Sequence, residues 1–97
     1  MDILILLACH FIGDFGLQSA WMAENKGKSW EINFYHAATY TAVFIVLGHV
    51  SLLATLLILV SHFIIDPLMC RWHIVKHTWL DQVLHFLILA IIILCKI

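Results

Sequence analysis

The sequence predicts an all-α fold, an integral membrane four-helix bundle. Three observations predict it. Hydrophobic residues make up 64 % of the 97 positions and charged residues 11 %, against about 45–50 % and about 25 % in soluble domains. A chain this short has too little interior to hide so much apolar surface from water. The apolar residues also gather in long runs of the kind a hydrocarbon core requires, roughly 20 residues per helix. Finally, the few polar residues inside those runs recur every four positions, which is the spacing of one helical face.

The elements follow in order along a single domain, residues 1–97. The first helix is expected over residues 3–22. A cleaved leader is not expected, because position 2 is Asp2 and the apolar run is interrupted by His10 and Asp14. The polar stretch "AENKGKSWEIN", residues 23–33, is a connector. Residues 34–65 are apolar almost throughout, too long for one ordinary span. The small polar stretch "GHVS", residues 48–51, is the natural point for the chain to fold back. This gives helices over 34–47 and 51–69, with Pro67 expected to kink or end the latter. A second polar connector, "CRWHIVKHTW", covers residues 70–79, and a fourth helix covers 80–95.

Orientation is read from Lys and Arg. Lys26 and Lys28 lie in the first connector, Arg71 and Lys76 in the third, and only Lys96 on the opposite side. The charged connectors are therefore assigned to the cytoplasm and both termini to the non-cytoplasmic side. Trp21, Trp30, Trp72 and Trp79 flank the same connectors, as an interfacial aromatic belt would. A net charge of −1 and the lack of any basic arm exclude a nucleic-acid partner. Cys9, Cys70 and Cys95 are odd in number and match no CxxC spacing, so they read as free thiols.

The polar residues inside the helices carry the functional signal. In "HFIGDFGLQ", residues 10–18, His10, Asp14 and Gln18 follow each other at intervals of four. Each such step turns only about 40° around a helix, so the three share one stripe. "HFIID" places His62 and Asp66 on one stripe, and "DQVLH" does the same for Asp81 and His85. His36 and Tyr40 stand one turn apart. In an antiparallel bundle Asp14, Gln18, His36, His62, Asp66, Asp81 and His85 all fall in the cytoplasmic half, which implies one shared polar centre.

Energetics favour a functional centre. An Asp at a helix centre costs about +2.5 to +3.5 kcal/mol on insertion scales, whereas each Leu or Ile returns only about −0.3 to −0.6. Helix glue is the bland alternative, but interhelical hydrogen bonds in membranes are worth about 0.6 kcal/mol on average, well short of that cost. Intramembrane charges normally face a bundle interior, find partners and carry function.

His nitrogen and Asp oxygen are ligands for Zn, Mn or Fe. The pool is His10, Asp14, His36, His62, Asp66, Asp81 and His85, with Gln18, Gln82 and Tyr40 as residues that orient ligands. This pool exceeds one tetrahedral site, so either some members orient others or two ions bind. An ion with an open position activates water for hydrolysis. The catalytic candidates are Asp14, Asp66 and Asp81, one of which, left off the metal, would serve as general base. A site opening at the headgroup level fits a lipid or lipid-linked phosphate. Two other classes compete: ion or proton movement through a homo-oligomer, and a small scaffold or regulatory subunit. The outer half discriminates, since a transporter needs polar residues there and a hydrolase does not.

His49 is expected to be solvated in the outer turn, His73 to be interfacial and His77 to stand near the site entrance. Gly13, Gly16 and Ala20 are expected to allow close helix packing. Lys26, Lys28, Arg71 and Lys76 are expected to set topology and meet anionic headgroups.

"HFIGDFGLQ", the Lys-containing connector before His36, "HFIIDPL" and "LDQVLH", in that order, resemble a family of small bacterial and phage membrane proteins of unknown function, the domain-of-unknown-function 3307 family. The resemblance covers nearly the whole chain. It implies a bacterial inner-membrane location, with His10, Asp14, Gln18, His36, His62, Asp66, Asp81, Gln82 and His85 as shared polar positions. In that family the second helix can carry a further His one turn after the first; Tyr40 takes that place here. A looser similarity to predicted membrane-bound metal-dependent hydrolases rests on HxxxD pairs in helices and is an analogy.

Overall fold

The computed structural model describes residues 3–97. Helix α1 (Ile3–Phe11) continues through a π-helical turn (Ile12–Gly16) and is followed by α2 (Ala20–Asn25), α3 (Trp30–Val46), α4 (Leu52–Cys70) and α5 (Thr78–Leu94). The described residues contain no strand, so the fold is all-α. The helices are arranged in a ring: α1 and its π turn pack on α3, α3 on α4, α4 on α5, and α5 back on α1.

Helix starts follow local chemistry. The Ser19, Ser29 and Ser51 hydroxyls accept hydrogen bonds from the Met22, Ile32 and Ala54 N–H groups, satisfying donors that a first helical turn leaves orphaned. The segment expected as one helix over 3–22 is interrupted. Leu17 N–H donates to Ile12 O at 2.8 Å, closing the π turn, and the helix restarts after the Ser19 cap. Between α3 and α4 the chain reverses through residues 47–51, where His49 takes a left-handed conformation (φ 50°).

Pro67 does not end α4, which runs on to Cys70. The ring removes the N–H that would bond Phe63 O. Asn33, fully buried on α3, supplies the missing donor: its Nδ2 bonds Phe63 O at 3.1 Å.

Each long helix has two faces. On α4, Ala54, Ile58, His62 and Asp66 are all buried, while Leu52, Leu56, Val60 and Ile64 are more than half exposed. On α5, Asp81, His85, Leu89 and Ile92 point inward and Leu87, Ile91 and Leu94 outward. The interior is therefore layered. One end is apolar, built from Leu6, Cys9, Val43, Phe44, Ala54, Ile58, Leu89 and Ile92. The other end holds buried His10, Asp14, Asn33, His36, His62, Asp66, Asp81 and His85. Tyr40 stands at the boundary, packed on both Phe44 and His62.

By length and composition α4 alone among the described helices can cross a membrane, with a mean hydropathy of 2.1; Ile3–Gly16 and Thr78–Leu94 are apolar but shorter. Four spans were expected, and the length criterion is met once. The π turn and the Ser19 cap split the first apolar run, and α3 begins within the polar connector.

Candidate metal centre

The π turn sets the first ligand candidate. Its extra residue per turn carries Gly13 against α3, where a Cβ would stand 3.1 Å from Tyr40 Cα. This close approach brings Asp14 to His36 Nε2, 3.1 Å from Asp14 Oδ1. Gly16 makes no such approach: a Cβ there would meet only Phe11 O, at 3.9 Å. π turns occur often at functional sites.

Four donor atoms converge around this point. His36 Nε2 lies 3.1 Å from Asp14 Oδ1 and 3.4 Å from Asp66 Oδ2. His62 Nε2 lies 3.7 Å from each of the same two oxygens. Metal–ligand bonds of about 2.0–2.1 Å in a tetrahedral site put neighbouring ligands about 3.3–3.4 Å apart, and the four measured separations bracket that value. One ligand atom from each of Asp14, His36, His62 and Asp66 lies within 4.8 Å of all the others, and all four residues are buried.

The hydrogen bonding fits a cation. Neither ring nitrogen of His62 makes a hydrogen bond among the described residues, although the residue is 1 % exposed. Its ring is held by stacking on Tyr40, with centroids 3.9 Å apart. Buried polar atoms without partners are rare because each forfeits its hydration. A metal ion would satisfy Nε2. The two-nitrogen, two-oxygen donor set suits Zn, Mn or Fe.

A second group shares Asp14. Ligand atoms of Asp14, Asp81 and His85, all buried, also lie within 4.8 Å of one another. His85 Nδ1 donates to Asp81 backbone O at 2.7 Å. That bond fixes the tautomer and leaves Nε2 with its lone pair free; Nε2 is buried without a partner, as is Asp81 Oδ1.

His10, a ligand candidate by sequence, is placed otherwise. Its Nδ1 bonds Tyr40 Oη at 2.7 Å and its Nε2 bonds Gln82 Oε1 at 2.6 Å. Both nitrogens are used, so His10 positions neighbours. Gln82 passes the effect on: with its oxygen on His10, its amide Nε2 faces Asp14 Oδ2 (3.4 Å) and Asp81 Oδ2 (3.3 Å). Tyr40, His10 and Gln82 thus form one chain ending at two carboxylates. Gln18 lines the adjoining cavity, its Oε1 buried without a partner.

Lys26 is the residue that sequence periodicity did not single out for the centre. From the connector after α2 its Nζ reaches Asp66 Oδ2 at 2.8 Å, with the two side chains 12 % and 5 % exposed. Its docking depends on Gly27, which touches the end of α4: a Cβ there would lie 2.1 Å from Cys70 O. Arg71 secures the same contact, bonding Gly27 O at 3.3 Å and covering the Trp30 ring at 4.4 Å. No helical spacing predicts a loop Lys reaching forty residues along the chain, and its only signal was proximity to the polar end. His73 borders the cavity, whereas His77 is exposed and stacks on Trp79.

The centre opens into a cavity of about 440 Å³. Asp14, Asp66 and Asp81 line it together with Lys26, Gln18 and His73.

No curated protein and no solved structure matches the chain. A family profile described as "Protein of unknown function (DUF3307)" matches residues 3–97, and the chain belongs to that family.

Proposed function

We propose that this protein is a membrane-embedded, metal-dependent hydrolase acting on a lipid or lipid-linked phosphate at the cytoplasmic surface. The observation that carries the proposal is His62, buried with no hydrogen bond at either nitrogen among the described residues, its Nε2 3.7 Å from two carboxylate oxygens that also face His36. A divalent ion on Asp14, His36, His62 and Asp66 would neutralise the two carboxylates, and a water added as a fifth ligand from the cavity side would have its pKa brought toward about 7. Asp81, outside that set and on the cavity wall, would take the water's proton. Attack of that water's oxygen on phosphorus would break the P–O bond to the leaving group, alcohol or phosphate, and Asp81 would return the proton to the departing oxygen.

A membrane setting is supported by the inside-out layering. The polar groups lie inside while Leu52, Leu53, Leu56, Val60 and Ile64 cover the outside of α4. Trp21, Trp30, Trp72 and Trp79 are all exposed at the polar end, where an aromatic belt would sit. The Lys and Arg bias supports placing that end in the cytoplasm, with both termini on the non-cytoplasmic side of a bacterial inner membrane. Transport is disfavoured by the apolar end, where Leu6, Phe44, Ile58, Leu89 and Ile92 close the interior at 1 % exposure or less.

The test is phosphate release. Detergent-purified protein loaded with Zn or Mn is mixed with micelles carrying phosphatidic acid or an isoprenoid pyrophosphate. Metal-dependent release, abolished in His62→Ala, is expected. Metal-loaded protein inert toward every lipid phosphate and pyrophosphate would overturn the hydrolase, and metal-dependent ion flux through liposomes would replace it.

A further inference from the structure

The proposed site uses one carboxylate oxygen of Asp14, and the other accepts from Gln82. Asp14 Oδ1 lies toward His36 and His62, whereas Oδ2 accepts from the Gln82 amide at 3.4 Å, which also donates to Asp81 Oδ2 at 3.3 Å; an ion joining these two carboxylates would take the amide's place as their shared positive partner. We infer that Asp14 is a bridging ligand and that the protein holds two divalent ions, the second on Asp14, Asp81 and His85. This rests on the metal site proposed above and extends it.

Three observations carry the second site. The three ligand atoms lie within 4.8 Å of one another in buried residues. His85 is 3 % exposed, and its Nε2 has no partner among the described residues. Its Nδ1 is committed to Asp81 backbone O at 2.7 Å, an arrangement that fixes the ring and its tautomer; metal-binding histidines commonly use their other nitrogen in this way. Asp81 Oδ1 is likewise buried and unpartnered. A carboxylate shared between two ions matches centres whose ions stand about 3.5–4 Å apart and clamp both the attacking and the leaving oxygen. Coordination through Oδ1 alone leaves Oδ2, which accepts from Gln82 at 3.3 Å, a second lone pair for the water's proton, so Asp81 would be both a ligand of the second ion and the base for the water on the first.

Charge identifies the ligand class. As metal ligands Asp14, Asp66 and Asp81 would be ionised, three negative charges against the one positive charge of Lys26. One divalent ion brings this buried group to neutrality. A second leaves two positive charges facing the cavity that Lys26 and His73 border. A phosphate dianion restores balance, so the second ion and a phosphoryl group bind together.

The test is a Mn²⁺ titration of the stripped, full-length protein in detergent, read by electron paramagnetic resonance and by metal content after desalting. Two equivalents are expected, with the mononuclear signal collapsing into an exchange-coupled one as the second binds. Inorganic phosphate should tighten the second equivalent at least tenfold. His85→Ala should retain one equivalent with an uncoupled signal, and Asp81→Asn, which keeps the side-chain shape, should do the same. One equivalent, lost in His62→Ala but unchanged in His85→Ala and Asp81→Asn, overturns the second ion and leaves the first site standing. Two equivalents without coupling overturn the bridge. No bound metal in wild type overturns both sites.

Discussion

Replacing Lys26 by Met should destabilise the metal-free protein and tighten metal binding at once. The Nζ–Oδ2 bond to Asp66 is 2.8 Å long and nearly shielded from water. Removing one partner of a buried pair costs about 3–5 kcal/mol, because the remaining charge is uncompensated. The oxygen that Lys26 holds is the one that His36 approaches to 3.4 Å and His62 to 3.7 Å. An ion bound there replaces the ammonium as the counter-charge. If the loaded protein then loses only about 1 kcal/mol, the difference of about 2–4 kcal/mol reappears as affinity, since linkage is reciprocal. That corresponds to about 30- to 700-fold tighter binding. Unfolding of wild type and Lys26→Met in detergent, stripped and Mn-loaded, gives the stability arms, and chelator competition gives the affinity. Unchanged metal-free stability, or weaker metal binding in the variant, would refute the shared-oxygen reasoning.

Four further outcomes are expected. His10→Phe should keep its metal while His62→Ala loses it, because His10 spends both nitrogens on Tyr40 and Gln82; elemental analysis of the two purified variants decides. Gly27→Ala should cost about 1–3 kcal/mol of metal-free stability through overpacking, as its Cβ would meet Cys70 O at 2.1 Å, and it should mimic Lys26→Met by lifting the connector. Asn33→Ala should cost about 1–3 kcal/mol by stranding Phe63 O; adding Pro67→Ala restores a backbone donor, and a double variant no more stable than Asn33→Ala would refute the pairing. In a variant whose only thiol is Cys95, exposed just after α5, an impermeant maleimide should label intact spheroplasts. Labelling only after lysis would reverse the proposed orientation.

The all-α class and the convergence of the polar stripes were legible in the sequence, because helical period alone places them. Residues 62 and 66 lie on the buried face of α4 with Ala54 and Ile58, and residues 81 and 85 lie on that of α5 with Leu89 and Ile92. Less local features escaped. A π turn over residues 12–16 leaves no hydrophobic signature, so the first helix was expected to run unbroken to residue 22. The continuation of α4 through Pro67 depends on an Asn from another helix. His10 shares a stripe with Asp14, but its role is set by Tyr40 and Gln82, thirty and seventy-two residues away. Lys26 reads as a topology determinant until Gly27 is seen packed against Cys70.

The most direct test of the centre is elemental analysis of gently purified wild type beside His62→Ala and Asp66→Asn. Near-stoichiometric Zn, Mn or Fe in wild type, lost in both variants, is the expected result. Wild type that is metal-free both as purified and after reloading would contradict the metal centre and leave the His–Asp stripes as a proton relay or as helix contacts.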